Sequence, residues 1–345
     1  MKTPRAFVSC ILAVLYVPLL AFAAADDKPL TRIAFGSCLH QGRPQPIWDA
    51  LLETKPELFL FLGDNIYSDT TDMKKKRAQY DRLLTNENFK KLQQTCPILA
   101  TWDDHDYGIN DMGAEYPAKK ESQQLFLDVW NVPADSPRRQ QEGIYYAQTF
   151  GPEGKRVQVI LLDTRYFRSP LKREKKPEGI MGPYDPTDDT TTTFLGEAQW
   201  KWLEAQLKQP ADLRLLCSSV QCLAEFTGWE SWANFPHERA RLFKLLRDTK
   251  SNAVVILSGD THWAELSLVK DALPYPLYEL TSSALNQSYE KVSPNKHRVG
   301  NPHYTDNFGL VLIDWDNDKS ITLQIRDTKG KIQIEQNIPL KSLKP

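Results

Sequence analysis

The stretch LFLFLGDNIY, residues 58–67, decides the fold class. Leu58 to Leu62 is apolar at every position, the pattern of a strand buried on both faces. It stops at Gly63-Asp64 and is followed at once by polar residues. A buried strand that ends on a carboxylate belongs to a mostly parallel sheet covered by helices, with its chemistry at the strand ends. The same event occurs three more times. The strand Leu30 to Phe35 ends at Gly36-Ser37-Cys38, and Ile98 to Trp102 runs into Asp103-Asp104-His105-Asp106. Ala253 to Leu257 ends at Ser258-Gly259-Asp260-Thr261-His262.

Helical patterns fill the spaces between these strands. They cover Pro46 to Glu53, residues 72–93, residues 118–131, Glu197 to Leu207, and Pro236 to Arg247 with its proline at the start. Ile144 to Phe150 and Val157 to Leu162 form a strand pair followed by Asp163-Thr164-Arg165, and Leu213 to Cys217 is a further strand. The tail from Tyr275 is mostly strand: Leu277 to Leu280, Phe308 to Trp315, Ile321 to Ile325 and Ile332 to Ile338. Arg168 to Thr193 has no regular period and carries Lys172, Arg173, Lys175 and Lys176, a solvated loop. There is no internal repeat and no linker, which favours one domain.

Composition is that of a globular chain: 345 residues, 41% hydrophobic and 25% charged, with 23 prolines and 16 glycines that predict many loops. A formal net charge of −1 argues against a stable nucleic-acid partner. Residues 1–25 stand apart. Lys2 and Arg5 precede an apolar run from Ala6 to Phe22, and small residues follow at Ala21 to Ala25. This is the pattern of a cleaved secretory signal, and the run is slightly short of the roughly 20 residues a membrane span needs. The expected mature domain is 26–345, exported to the periplasm or medium, without a permanent membrane anchor. Its four cysteines, Cys38, Cys96, Cys217 and Cys222, are too few for a disulfide framework, and one is expected to be a ligand.

Each strand-end motif alone has an ordinary explanation. Gly-Asp is a turn, His262 a satisfied core histidine, Cys38 a small buried hydrophobe, Tyr67 a core residue, and Asp103 to Asp106 a helix start. Together they are harder to dismiss, because several carboxylates at buried strand ends need cations. Cys, Tyr and His suit a transition metal; carboxylates suit Ca2+, Mg2+ or Mn2+. Asp64 lies between the two groups and is placed to bridge two ions, which about 3.5–4 Å apart clamp an in-line displacement at phosphorus.

The ordered set FGSC (35–38), GDNIY (63–67), WDDHD (102–106), LDTR (162–165), LGEAQWKWL (195–203), SSVQ (218–221) and SGDTHW (258–263) resembles the PhoD-like alkaline phosphatases, calcineurin-like metallophosphoesterases related to purple acid phosphatases. The resemblance spans nearly the whole chain after residue 25. It implies an α/β/β/α sandwich of two mixed β-sheets flanked by helices, and hydrolysis of small phosphate esters by hydroxide carried on the metals. Members often carry an extra N-terminal β-domain, and none is expected here. The implied ligands are Cys38, Asp64, Tyr67 and His262 for Fe3+, and Asp64, Asp104 and Asp260 for Ca2+ or another divalent ion. Whether Asp103 or Asp104 is the ligand stays open. His105 matches the adjacent catalytic histidine. Arg165 is expected to anchor phosphate, since a guanidinium binds phosphate oxygens as a fork.

Weaker candidates are Gln221 near the second metal and Trp229, Trp232 and Phe235 as pocket walls. His40, His237, His297 and His303 are expected at the surface or in structural roles. Cys217 and Cys222 pair or simply pack. Two rival functions fit parts of the pattern: a metal-containing binder of phosphate or phospholipid with little turnover, and a Ca2+-dependent esterase or lactonase. Oligomeric state is not encoded in any of these features.

Overall fold

The structure is a computed structural model describing residues 28–174, 181–225 and 228–344. The leader assigned to residues 1–25 lies outside the described residues, as do Lys175 and Lys176. The first half of the chain runs β1 (Arg32–Gly36), α1 (Ile47–Glu53), β2 (Leu58–Leu62), α2 (Met73–Leu84), α3 (Glu87–Thr95), β3 (Ile98–Thr101), the one-turn helix α4 (Asp104–Tyr107), α5 (Lys119–Val129), β4 (Tyr146–Phe150) and β5 (Val157–Leu161). The second half begins with a short hairpin, β6 (Lys172–Arg173) and β7 (Tyr184–Asp185). It continues with α6 (Gly196–Leu207), β8 (Leu213–Ser218), α7 (Pro236–Asp248), β9 (Val254–Ser258), β10 (Ala264–Val269) and β11 (Leu277–Ser282), then β12 (Arg298–His303), β13 (Asn307–Asp314), β14 (Ser320–Asp327) and β15 (Ile332–Pro339).

The strands form two mixed sheets, ordered β15-β14-β13-β1-β2-β3 and β12-β10-β11-β9-β8-β5-β4. In the first, β1, β2 and β3 are parallel, with Phe35 opposite Leu60 and Leu60 opposite Leu99, and β13 runs antiparallel to β1. In the second, β5, β8, β9 and β11 are parallel. The central strand shows why LFLFL is apolar throughout. Leu58, Leu60 and Leu62 pack in the core shared with the second sheet, while Phe59 and Phe61 enter a separate core with Trp48, Phe89 and Phe126 from α1, α3 and α5. Trp200, Leu203 and Leu207 of α6, with Leu242 and Leu246 of α7, close the far side of the second sheet. The layers are helix, sheet, sheet, helix, the expected sandwich.

Two differences from the sequence reading have simple causes. Residues 72–93 are not one helix: the chain breaks after Leu84, and the Asn86 side chain caps a new helix by accepting from the Asn88 and Phe89 amides. β10 and β12 carry no simple apolar pattern, because Glu265 and Ser267 of β10 are buried among polar partners. No helix of the described residues is long and apolar enough to cross a membrane.

Candidate metal centre

The C-terminal ends of β1, β2, β3 and β9 bring Cys38, Asp64, Asp103, Asp104, Asp260 and His262 together. The loops are sharply bent. Cys38, Asp64, Asp260 and His262 have φ of 57°, 49°, 71° and 64°, the left-handed region that non-glycine residues rarely occupy. Such backbone persists where surrounding structure over-determines it, and it concentrates at functional sites. Gly63 makes the convergence feasible: a Cβ there would lie 2.6 Å from the Asp103 Cβ.

One ligand group is Cys38, Asp64 and His262, whose donor atoms lie within 4.8 Å of one another. Cys38 Sγ is 3.5 Å from Asp64 Oδ2 and 3.1 Å from Ser283 Oγ. His262 Nδ1 donates to the Gln287 carbonyl at 2.6 Å, so Nε2 is its free, basic nitrogen. The Tyr67 ring lies beside His105, centroids 4.4 Å apart, and stacks toward His262 at 6.5 Å. Its hydroxyl is buried without a hydrogen-bond partner, and so is Asp64 Oδ1. Burial, then the charges of Asp64 and Cys38, push the Tyr67 phenol well above its usual range; burial and Cys38 do the same to Asp64. Partnerless oxygens and anions penalised by burial are what a cation would relieve, so these residues fit a metal.

The second group shares Asp64. Asp64, Asp104 and His105 converge, as do Asp103, Asp104 and Asp260. Asp103 caps α4 and directs Oδ1 at Arg165 and at Ser219 Oγ, 2.6 Å away. Asp104 lines the cleft and Asp103 does not. Burial, Asp103 and Glu230 raise Asp260 well above the carboxylate range. Burial also penalises the Asp104 anion, but His105 and Arg165 hold its carboxyl below that range. His105 Nδ1 bonds Asp69 Oδ1 at 2.9 Å, and Asp69 also accepts from the Asn110 amide. Burial opposes its charge, yet Asp104, Asp64 and Asp69 raise the imidazole to about 11.

Arg165 is fully buried, donating from Nη1 to both Glu230 oxygens at 2.7 Å and from Nε to Asp103. Its guanidinium faces the carboxylates of Asp103 and Glu230, and it does not line the cleft. Asp163 of the same motif accepts from Trp102 Nε1 and from the amides of Ile144, Arg165 and Tyr166. Gln199 braces Asp163 through both its backbone groups at 2.8 Å. Asp106 ties the loops together through the Asp103 amide and Asn65. These motif residues build the frame that aims the others.

Asp69, Asp111, Glu230 and Ser283 were not singled out by the sequence. Asp111, with φ of 61°, donates its amide to Asp104 Oδ2 at 2.7 Å, and it groups with Asp104 and Glu230 within 4.8 Å. Only Asp69 had a signal, its place on the GDNIY loop. Gln221 donates from Nε2 to Glu265 and Thr281, and its Oε1 is buried without a partner. Trp232 and Phe235 are core, whereas Trp229 lines the cleft. His237 bonds the Thr192 carbonyl, His297 lies against Glu225, His303 pairs with Thr305, and His40 stacks on Tyr67. Cys96, Cys217 and Cys222 are buried free thiols. Arg173 of the basic loop reaches Tyr184 and Asp111 at the cleft edge.

The PhoD-like phosphatase family model matches residues 33–333. Alkaline phosphatase D of Bacillus subtilis (strain 168) is 23% identical over 292 residues, covering 70% of this chain and 48% of that protein. The chain thus spans about half the length of this curated relative. Among solved structures, PhoD superimposes with a TM-score of 0.73 at 18% identity, covering 91% of this chain and 69% of the other. GAP50, the anchor in the inner membrane complex of Plasmodium, gives 0.56 at 14% identity, covering 90% and 89%. Both likenesses are of fold.

Proposed function

The chain belongs to the PhoD-like phosphatase family, and from that premise we propose that it hydrolyses small phosphate esters, monoesters or diesters, at a two-metal site. The observation that carries this is the position of Asp64, shared between two ligand groups and holding a buried oxygen without a partner. Cys38, Asp64, Tyr67 and His262 would hold Fe3+, and Asp64, Asp104 and Asp260 would hold Ca2+ or another divalent ion. When bound, the pair would supply Lewis-acid polarisation of the phosphoryl group and an activated water. His105, oriented by Asp69, gives its proton to the leaving oxygen. Arg165 stabilises the acid array from behind rather than touching the substrate.

Residues 1–25 we assign to an export leader removed from the mature chain, which places one phosphatase domain, 26–345, outside the cytoplasm; N-terminal sequencing of the mature protein tests this. The function is tested by metal analysis of purified protein alongside turnover of a matched monoester and diester, before and after chelation. Loss of turnover with the metal and its return on reloading is the expected result. Full turnover by metal-free protein overturns the two-metal reading. Metal-loaded protein that captures phosphate without hydrolysing either ester favours the binder instead.

A further inference from the structure

The cleft over the metal centre has an aromatic wall that hydrolysis of a bare phosphate does not require. Trp229 and Tyr289 line it and are 40% and 49% exposed, whereas Trp48, Trp102 and Trp232 are wholly buried. Neither ring sits on a loose loop. Glu230, next to Trp229, is held by Arg165 and Arg168. On the other side Gly228 accepts from the Tyr184 amide, and its backbone packs on Gly182 where a side chain on either would collide. Tyr289 donates its amide to the His262 carbonyl at 2.9 Å. Large rings exposed on an anchored backbone beside a reactive centre mark a surface that a ligand covers.

Two polar atoms say what kind of ligand. Trp263, 3% exposed, lines the same cleft, and its Nε1–H is buried without a partner. Gln287 also lines it, and its Oε1 is shielded and partnerless. A donor and an acceptor left open beside two exposed rings match a flat ring with hydrogen-bonding atoms on its edge. The cavity, about 380 Å³, has room for one such ring beside a phosphoryl group.

We propose that this wall is a nucleobase subsite, so that the preferred substrates are nucleotide-type phosphate esters whose base stacks on Trp229 and Tyr289 and meets Trp263 Nε1 and Gln287 Oε1 at its edge. The inference rests on the phosphoesterase reading only for placing the phosphate at the metals. The test is calorimetry on the metal-loaded full chain with adenosine 5′-monophosphate, ribose 5-phosphate and phenyl phosphate, which needs no turnover. Adenosine 5′-monophosphate is expected to bind at least about tenfold tighter than ribose 5-phosphate, within the roughly 5- to 150-fold that one base stack supplies. Trp229→Ala should abolish most of that ratio and Trp229→Phe retain most of it. Trp263→Phe, which keeps a ring and loses the N–H, should lower it a few-fold. Equal binding of the nucleotide and the sugar phosphate, or a ratio indifferent to Trp229→Ala, overturns the subsite even if esters are hydrolysed. Phenyl phosphate matching the nucleotide overturns the base-edge assignment. A retained ratio in a protein that hydrolyses no ester supports the subsite and removes the phosphoesterase reading instead.

Discussion

Asp69→Asn isolates the orientation of His105 from the metals. The change keeps the side-chain shape and removes one charge 2.9 Å from His105 Nδ1. At that separation the Coulomb attraction is about 1.4 kcal/mol at the dielectric of water and about 5.7 kcal/mol at an effective dielectric of 20. The Asp69 side chain is 43% exposed, so solvent screening places the loss toward the lower figure, about 1.5–2.5 kcal/mol. That is one to two decades in the stabilisation of the imidazolium; with the ring raised to about 11 it stays protonated near neutral pH, so what is lost is the hold on its orientation. Esters with poor leaving groups, which need the proton in the transition state, should slow by roughly 10- to 100-fold in kcat/KM, while an aryl ester with a good leaving group should change by a few-fold at most. Metal content should stay at the wild-type level. In a His105→Ala background the same change should add almost nothing, because the two residues act as one unit. A variant that loses metal, or that slows both esters equally, refutes the assignment of His105 to the leaving group and of Asp69 to its support.

Other expectations are as direct. Tyr67→Phe should shift or bleach any visible band of the iron-loaded protein while circular dichroism stays native; an unchanged spectrum removes Tyr67 from the ligands. Arg165→Gln strands Asp103 as a buried charge without its guanidinium and leaves Glu230 to Arg168 alone, so it should cost about 3–5 kcal/mol of stability by denaturant titration and weaken the second metal, whereas a phosphate anchor would show mainly as a raised KM. Chelated protein should lose stability as pH rises from about 4 to 7. Burial lifts Asp103 to about 6 and Asp106 and Asp111 to about 7, so the folded state holds protons the unfolded chain has released. None of the three is a proposed ligand, so the slope should appear with or without metal, and a flat profile between pH 4 and 7 would contradict it.

What was legible in the sequence followed from pattern and spacing. LFLFL could only be a strand covered on both faces, and each ligand-bearing loop followed a strand whose apolar run ended cleanly. Positions held by long-range pairing were not legible. Glu230 lies in GWESW, where nothing local distinguishes it, and it matters because the fold brings Arg165 and Arg168 to it. The carboxylate partners of Arg165 were not legible for the same reason: Asp103 and Glu230 come to it from distant parts of the chain. β10 escaped because Glu265 and Ser267 are buried through partners supplied by Gln221, Asn295 and Arg298, and no local hydropathy pattern encodes such pairing.

The backbone and the charges at the strand ends make one physical argument. Cys38, Asp64, Asp260 and His262 each occupy left-handed backbone, at about 1–3 kcal/mol apiece. Asp64, Asp103 and Asp260 are buried close together, where their anions repel. Neither cost is needed to close the sandwich, whose two apolar cores lie on either side of the first sheet. A chain selected for stability alone would place glycine and asparagine in those turns and apolar residues beneath them. Cations between the loops would offset the repulsion and lock the bent turns in the same step, which couples ligand geometry to folding at this end of the molecule and leaves the opposite end indifferent to metal. Hydrogen exchange with and without chelator should therefore differ most in the loops after β1, β2, β3 and β9 and least in β14 and β15, and uniform protection changes across both ends would break that link.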